Sequence, residues 1–310
     1  MKPKIGYLLP TRENIMRDDH SGASLMTAAK NAHDLGFDSL WAGDSLLARP
    51  RHDPLTLLAA VAGALPGTTV GTAVLLPALR NPVVLAQQLA TIDQLSNGNL
   101  IIGAGIAADN PAIRAEFTAA GVTFEKRLGR FMEGMRLCRA LWSGEPVDWD
   151  GRWQLSNATL APKPYRPEGP PIWIGTTVDA GIERIAKHYD GWFPIGPNAQ
   201  SFAEREALLQ TKLTEAGRTN DAVTRAIYLT VAIGADEVTQ EAAIDAYLED
   251  YYNVPAKLMR HVQACCGGPL DRVLGFIRQF AEAGAQHIVL RLVGEHTSQL
   301  QLISDHRAEI

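Results

Sequence analysis

The sequence predicts an α/β protein of the (β/α)8 TIM-barrel class, formed as a single domain over residues 1–310. Eight short apolar segments with strand character alternate with segments of helical periodicity. Such alternation is typical of a parallel sheet, and eight repeats favour closure into a barrel over an open doubly wound sheet. A chain of 310 residues also lies within the length of one such barrel with insertions.

The individual elements are predicted from periodicity and from helix start and stop signals. The predicted strands are residues 4–9, 39–42, 69–75, 99–103, 172–175, 191–194, 225–233 and 287–292. The predicted helices are residues 21–35, 54–64, 82–95, 128–142, 180–188, 202–216 and 270–283.

The segment 81–106, NPVVLAQQLATIDQLSNGNLIIGAGI, carries the clearest helix–strand unit. Asn81 is the predicted N-cap, Pro82 lies in the first turn, and Gly98 ends the helix. The following strand ends in a Gly-Ala-Gly segment at residues 103–105. Because these side chains are small, we expect this end of the strand to leave space for a large planar or phosphorylated ligand.

Two segments interrupt the regular alternation and are predicted to be insertions near 143–171 and 237–268. The first contains an Asp-Gly pair at residues 150–151, which indicates a hairpin, followed by a proline-rich stretch. The second contains extra helical sequence with the consecutive tyrosines Tyr251 and Tyr252. We expect both insertions to lie over the barrel mouth, where active sites of this architecture are found.

Composition limits the class of function. The chain is 46% hydrophobic and 20% charged with a net charge of −5, which favours a small-molecule substrate over nucleic acid. No apolar run reaches the roughly 18 residues that a membrane span needs, and the N-terminal segment resembles a first strand, so we expect a cytoplasmic protein. The three cysteines are predicted to be reduced structural thiols, and no spacing indicates a metal site.

Several segments at predicted strand ends could carry chemistry. Gly103–Ala108 matches the pattern G-x-G-x-x-A, although Asn110 and Pro111 fall where a dinucleotide-binding helix should already be running. A loop that contacts a cofactor is therefore favoured over a Rossmann turn, and tight packing is the remaining alternative. Asp44 and Ser45 follow a strand, where they could be functional or could cap a helix.

The segment Gly175, Thr176 and Thr177 could hold a phosphate through its hydroxyl and N–H groups, or could simply cap the next helix. His20 and His52 follow early strands and could act as acid or base at the barrel mouth. Since no nucleophile elbow, P-loop or zinc motif is present, a bound cofactor is expected to supply the difficult chemistry.

Four segments together resemble one known family. They are GFDSLWAGDSLL at 36–47, GTAVLLPALRNPVVLAQQLATIDQLSNGNLIIGAGI at 71–106, GRFMEGMRLCRALWSGEPVDWDGRW at 129–153 and PPIWIGTTVDAGIERIAKHYDGWFP at 170–194. The chain is thus similar to the bacterial luciferase-like flavin and deazaflavin oxidoreductases. This resemblance implies a (β/α)8 barrel that binds reduced FMN or coenzyme F420 at its carboxyl face.

The resemblance also implies roles for individual residues. Asp44 and Ser45 would be the catalytic pair near the flavin ring, and Ala73 and Val74 would form a non-proline cis peptide that supports the ring. The remaining cofactor-binding residues would be Gly105, Ile106, Ala107, Gly175, Thr176 and Thr177. The candidate substrate-pocket residues are Trp41, His52, Asp109, Trp192 and Phe193.

The chain departs from the sugar-phosphate dehydrogenases of this family at two positions. Ser45 stands where those enzymes have histidine, and Ala108 stands where they have glutamate. Because both acid–base groups are missing, oxidation of a sugar hydroxyl is disfavoured here.

The preferred hypothesis is a luciferase-like monooxygenase that uses reduced FMN from a separate flavin reductase, together with O2, to oxidise a small organic molecule. The alternative is an F420-dependent reductase or dehydrogenase that transfers a hydride directly. A second alternative is a flavin-binding protein without turnover. Family analogy also suggests a homodimer.

Overall fold

The computed structural model describes residues 2–310. The chain forms two compact units, which are described separately here. Unit 1 combines the segment that ends at Trp41 with Ile172–Ile310, and unit 2 is Ala42–Pro171.

The regular elements alternate as predicted. The strands are β1 (Lys4–Leu8), β2 (Ser39–Ala42), β3 (Thr69–Thr72), β4 (Leu100–Ala104), β5 (Val147–Asp150), β6 (Gln154–Ala158), β7 (Ile172–Ile174), β8 (Gly191–Trp192), β9 (Thr224–Ile233), β10 (Cys265–Gly268) and β11 (His287–Leu292). The helices are α1 (Thr11–Met16), α2 (Gly22–Asp34), α3 (Pro54–Ala64), α4 (Pro82–Leu95), α5 (Pro111–Ala119), α6 (Arg127–Trp142), α7 (Asp179–His188), α8 (Ala199–Glu215), α9 (Glu237–Tyr252), α10 (Ala256–Arg260), α11 (Leu270–Glu282) and α12 (His296–Asp305).

All eight strands predicted for the barrel are present as β1–β4, β7–β9 and β11. Their parallel order is that of a (β/α)8 barrel, which confirms the predicted fold class. All seven predicted helices are also present.

The parallel pairing in unit 1 fixes which side chains share a face. Strand β11 pairs with β1 on one side and with β9 on the other, where Arg291 lies opposite Thr230. Strand β9 is long enough to pair with β8 near its start and with β10 near its end. Strand β10 was not predicted, since its Cys-Cys-Gly-Gly sequence lacks the β-branched residues that indicate a strand.

Aromatic rings fill the inner face of unit 1. Trp41 from β2 lies 5.5 Å from Trp173 of β7, 5.2 Å from Phe193 and 5.5 Å from the imidazole of His287, measured between ring centroids. Four separate strand segments therefore meet through these rings, which identifies the face that points into the barrel. Residues two and four positions after His287 point to the same face.

Unit 2 is organised by the helix–strand unit singled out in the sequence. The side chain of Asn81 accepts hydrogen bonds from the N–H groups of Val83 and Val84, so it caps α4 as predicted. Gly98 has a φ of 78°, a left-handed conformation that glycine adopts without a steric penalty. Strands β3 and β4 pair in parallel, with Val70 opposite Leu100.

The two predicted insertions have different structures. The first contains the expected hairpin, in which β5 and β6 pair antiparallel around the Asp-Gly turn. The second contains α9, α10 and β10, and the buried side chains of Ile244 and Leu248 pack α9 onto unit 1. Sequence reasoning missed three further helices, α1, α5 and α12, which are short segments without a long apolar period.

Two further expectations concern the whole chain. All three cysteines are free thiols. Within residues 2–310 we find no helix whose length and hydropathy would allow it to cross a bilayer.

Candidate functional site

The carboxylate of Asp44 forms a buried ion pair in unit 2. Its Oδ2 accepts hydrogen bonds from Arg80 Nη1 at 2.5 Å and from the N–H of Leu76 at 2.8 Å, and its Oδ1 accepts from Arg80 Nη2 at 2.9 Å. Burial alone would lower the pKa of Arg80, but the hydrogen bond and charge of Asp44 outweigh it and raise that pKa above its usual value.

These contacts change the role expected of Asp44. Its side chain is only 1% exposed and both oxygens are already engaged. The structure therefore makes Asp44 a positioning residue that fixes the segment after β3, in place of the direct catalytic contact predicted from its position at a strand end.

Ser45 is held by a glutamate that sequence reasoning did not select. The Ser45 hydroxyl donates to Glu116 Oε2 at 2.7 Å and accepts from the N–H of Arg49 at 2.9 Å. The same Glu116 oxygen accepts from the N–H groups of Leu47 and Ala48. Glu116 is 1% exposed, and its other oxygen, Oε1, has no hydrogen-bond partner among residues 2–310. The predicted catalytic hydroxyl is thus oriented by a buried carboxylate on α5.

The predicted cofactor cradle in unit 2 is formed by two segments in contact. The peptide bond between Ala73 and Val74 is cis, as the resemblance implied. A Cβ added to Gly105 would lie 2.9 Å from Val74 Cγ2, so any larger residue would force Val74 to shift. The N–H of Gly105 also donates to Leu75 O at 2.9 Å.

The loop after Gly105 is irregular, as expected for a contact loop. The carbonyl of Ile106 accepts from Arg127 Nε at 3.0 Å, and Ala107 has a φ of 64°. This left-handed conformation is uncommon for alanine, and such residues concentrate at functional sites. Helix α5 begins only at Pro111, so the G-x-G-x-x-A match is a loop and not a Rossmann turn.

The two predicted pocket residues of unit 2 differ in their exposure to solvent. Asp109 is exposed and forms a two-point ion pair with Arg114, at 2.7 and 2.8 Å, and the hydrogen bond with Arg114 lowers the pKa of Asp109. Its place in the pocket is therefore not supported, because the arginine five residues later holds it at the surface. His52 is half-buried just before α3.

In unit 1, Gly175, Thr176 and Thr177 form the turn from β7 into α7. Thr177 is exposed, and no side chain caps the N-terminus of α7. The Thr176 carbonyl accepts from Trp192 Nε1 at 2.8 Å. The capping alternative for Thr177 and Asp179 is thus not observed, although the N–H of Val178 donates to Thr176 Oγ1 at 3.4 Å. The N–H groups of Asp179 and Ala180 remain for a phosphate.

The three aromatic residues predicted to line the pocket do not all face the inside of the barrel. Trp41 and Phe193 point into the barrel as part of the buried aromatic cluster. Trp192 points outward, where its ring stacks on Phe202 of α8 with centroids 4.7 Å apart. The prediction that Trp192 lines the pocket is wrong, because adjacent strand residues face opposite sides of the sheet.

A second polar cluster, missed by sequence reasoning, lies on the inner face of unit 1. Arg291 is 1% exposed, and its guanidinium faces the rings of four tyrosines at Cζ–centroid distances of 4.9–5.6 Å. These rings belong to Tyr228, Tyr247, Tyr251 and Tyr252. Burial raises the pKa of Tyr228 and Tyr247 well above the usual value, so their hydroxyls remain protonated. We call this set the arginine–tyrosine cluster.

The residues of each unit can be compared with the chemical groups of the expected cofactor. In unit 2, Val74 packs directly against Gly105 beside the cis peptide, and this compact apolar contact fits the edge of a planar ring such as that of a flavin or deazaflavin. In unit 1, considered by itself, the start of α7 without a side-chain cap beside the exposed Thr177 fits a phosphate group.

Comparison with known proteins agrees with this geometry. The model of the luciferase-like monooxygenase family matches residues 3–299. The chain therefore belongs to this family.

Two named relatives illustrate where the chain lies in the family. It is 28% identical over 208 residues to a 5,10-methylenetetrahydromethanopterin reductase of Archaeoglobus fulgidus, covering 67% of this chain and 59% of the relative. It is 30% identical over 247 residues to an F420-dependent glucose-6-phosphate dehydrogenase of Kineococcus radiotolerans, covering 75% and 69%. The match thus spans less than two thirds of the Archaeoglobus relative.

Solved structures show the same fold at lower identity. An F420-dependent secondary alcohol dehydrogenase, in complex with an F420-acetone adduct, superposes with a TM-score of 0.81 at 19% identity over 98% of both chains. The monooxygenase RslO1 from Streptomyces bottropensis superposes with a TM-score of 0.81 at 22% identity, over 99% of this chain and 98% of the other.

Proposed function

We propose that this protein is a coenzyme F420-dependent oxidoreductase that moves a hydride between the coenzyme and a small organic substrate. The observation that carries the proposal is the 30% identity, over three quarters of the chain, to an enzyme named as F420-dependent. The solved F420-dependent and oxygen-dependent structures share this fold equally well, so fold likeness does not separate the two chemistries.

This proposal differs from the hypothesis preferred on sequence alone, which was a monooxygenase that uses reduced FMN and O2. The chain lacks the histidine and the glutamate that the sugar-phosphate dehydrogenases of this family have at positions 45 and 108. That absence argues against one substrate type, a sugar hydroxyl, and leaves other hydride transfers open. A separate flavin reductase is not needed in the F420 reading.

The residues of unit 2 would hold the ring of the coenzyme. The cis peptide at Ala73–Val74 and the glycine at 105 form the surface beside it, and Asp44 with Arg80 keeps the following segment in place. In unit 1, considered by itself, residues 175–177 at the start of α7 would bind a phosphate group. When bound, the coenzyme supplies or accepts the hydride.

Reduction of a carbonyl also needs a proton for the substrate oxygen. The Ser45 hydroxyl donates to Glu116 Oε2, and that oxygen also accepts from two backbone N–H groups, so Glu116 acts here as an acceptor. We propose that the Ser45 hydroxyl turns to donate a hydrogen bond to the substrate oxygen, and that water supplies the proton which this oxygen takes up.

The test is anaerobic turnover. Reduced F420 is mixed with the protein and a panel of ketones, aldehydes and enones, and the recovery of the oxidised F420 absorbance is followed without oxygen. We expect substrate-dependent oxidation that does not require a reductase. Turnover that occurs only with reduced FMN, and only when O2 is consumed, would contradict the proposal.

A paired substitution tests the cradle. Gly105→Ala places a Cβ against Val74, whereas Gly63→Ala on α3 places one in open space. We expect the first variant to bind F420 more weakly than the wild type and the second to bind equally well. If both variants bind F420 with the same affinity, the deazaflavin ring does not lie beside Gly105.

A further inference from the structure

Arg291 carries a buried positive charge at the carboxyl end of a barrel strand. It is the fifth of six residues in β11 and lies four positions after His287, so it shares the inner face on which His287 contacts Trp41 and Trp173. An arginine keeps its charge at physiological pH. Burying such a charge is costly unless it is paired.

The partners of Arg291 are all neutral. Its Nε and Nη2 donate to Thr230 Oγ1 at 3.1 and 2.8 Å, its Nη2 donates to Gln263 Oε1 at 2.6 Å, and its Nη1 donates to Tyr252 Oη at 3.0 Å. Within residues 2–310, no carboxylate lies within 4 Å of its nitrogens. Glu13 joins the cluster through the hydroxyl of Tyr247.

Two hydrogen-bond donors of the cluster are left over. A guanidinium has five N–H groups, and the four contacts above leave one on Nη1. Tyr228 faces Arg291 at 5.1 Å, and its hydroxyl makes no hydrogen bond to any residue in the described part of the chain. A fixed cation beside a free N–H and a free O–H is the arrangement that recognises a carboxylate.

The second insertion, near 237–268, forms the outer side of the arginine–tyrosine cluster. Tyr252 and Tyr247 come from α9 and are half-buried, whereas Arg291, Thr230 and Tyr228 come from barrel strands. The hydroxyl of Tyr252 accepts from Arg291 Nη1 and from Gln263 Nε2, which itself belongs to a residue hydrogen-bonded to Arg291. The Tyr252 side chain can be displaced by a ligand oxygen that makes a stronger, charge-assisted bond.

We propose that the arginine–tyrosine cluster is a substrate subsite that binds a carboxylate group, so that the substrate of this enzyme is an organic acid. This inference rests on the proposed function, because it names the substrate class of the same enzyme. The carboxylate accepts from Arg291 and from the Tyr228 hydroxyl, and the tyrosine rings enclose the apolar part of the acid.

The experiment is a calorimetric titration of the full chain with benzoate and with benzamide, its neutral analogue of the same shape. We expect benzoate to bind about tenfold more tightly than benzamide, since a hydrogen bond to a charged group is roughly twice as strong as one between neutral groups. Arg291→Met should abolish this preference, Arg291→Lys should reduce it, and Tyr228→Phe should weaken benzoate alone. Arg136→Met, at an exposed position on α6, is the matched control and should leave the preference intact.

Each contrary result overturns the proposal. Equal binding of the two probes, or a preference for benzoate that survives Arg291→Lys and Tyr228→Phe, would exclude this subsite even if Arg291→Met failed to fold. A loss of F420 affinity in Arg291→Lys would assign the anion to the coenzyme and not to the substrate. Because the titration uses the protein without coenzyme, it gives the same answer whether or not the chain proves to be F420-dependent.

Discussion

Arg80 and Asp44 are joined by two hydrogen bonds, at 2.5 and 2.9 Å, in a position where the aspartate is almost completely buried. The pair also binds the backbone of Leu76, so one carboxylate connects the segment after β2 to the segment after the cis peptide. An interaction of this kind stabilises the surface on which a coenzyme ring would lie.

Substitution of Asp44 by asparagine should therefore be costly. It leaves the buried Arg80 with only the longer, half-exposed ion pair to Asp53, at 3.3 Å, and breaking one side of a buried pair typically costs up to about 3–5 kcal/mol. We expect a loss of this size in the free energy of unfolding, measured by urea denaturation. Asp109→Asn is the matched control, because it breaks an exposed pair with Arg114 and should change little. Equal effects of the two substitutions would show that the Asp44 pair is not buried in solution.

Glu116 should stabilise the conformation of the loop that contains Ser45. Glu116→Gln removes the charge that strengthens three hydrogen bonds to one oxygen, and we expect a loss of about 1–3 kcal/mol in stability. Amide hydrogen exchange should become faster at Leu47 and Ala48. Exchange that is unchanged there, with Glu125→Gln as the exposed control, would argue against this role.

The sequence predicted the elements of the barrel because each is locally encoded. Asn81, Pro82 and Gly98 mark the ends of α4, and the apolar period between them identifies its buried face. The same local rules predicted that Gly105 lies beside a ligand, since small residues at a strand end leave space, whereas Val74 was selected by family resemblance. The cis peptide itself came from family resemblance, since no local rule encodes it.

The polar partners could not be predicted, because they are set by tertiary contacts. Glu116 reaches Ser45 across 71 residues, and Arg291 reaches Tyr252 across 39. Successive side chains of a strand point to opposite faces of the sheet. This alternation could have shown that Trp192 faces away from Phe193. It could also have shown that Arg291 lies on the inner face with His287. A charged residue on the inner face of a predicted barrel strand is the signal that was overlooked.

His287 should make stability depend on pH. Burial lowers its pKa to about 3, with a further contribution from the charge of Lys4, so the folded protein keeps it neutral while the unfolded chain protonates it below about 6.5. Between these values the unfolded state binds more protons, and stability therefore falls as the pH is lowered, by up to about 1.4 kcal/mol per pH unit.

The free energy of unfolding is measured by urea denaturation at several pH values between roughly 4 and 7. This range lies largely between the folded and unfolded pKa values of His287. His287→Asn should flatten the dependence, and His261→Asn, at an exposed position, should not. A slope that persists unchanged in His287→Asn would assign it to other groups.

The cysteines should be chemically inert in the folded protein. Burial raises the pKa of Cys138 to about 12 and that of Cys266 to about 11, and the thiolate is the reactive form. We expect slow reaction with a disulfide reagent in native buffer and rapid reaction of all three thiols in denaturant. Fast labelling of Cys138 without denaturant would mean that α6 opens in solution.

The most direct test of the proposed function is an anaerobic competition between F420 and reduced FMN for the purified protein, followed by fluorescence of the deazaflavin. We predict that F420 binds and that a large excess of reduced FMN fails to displace it. Displacement by reduced FMN at an equal or lower concentration would contradict the account and return the protein to the oxygen-dependent branch of its family.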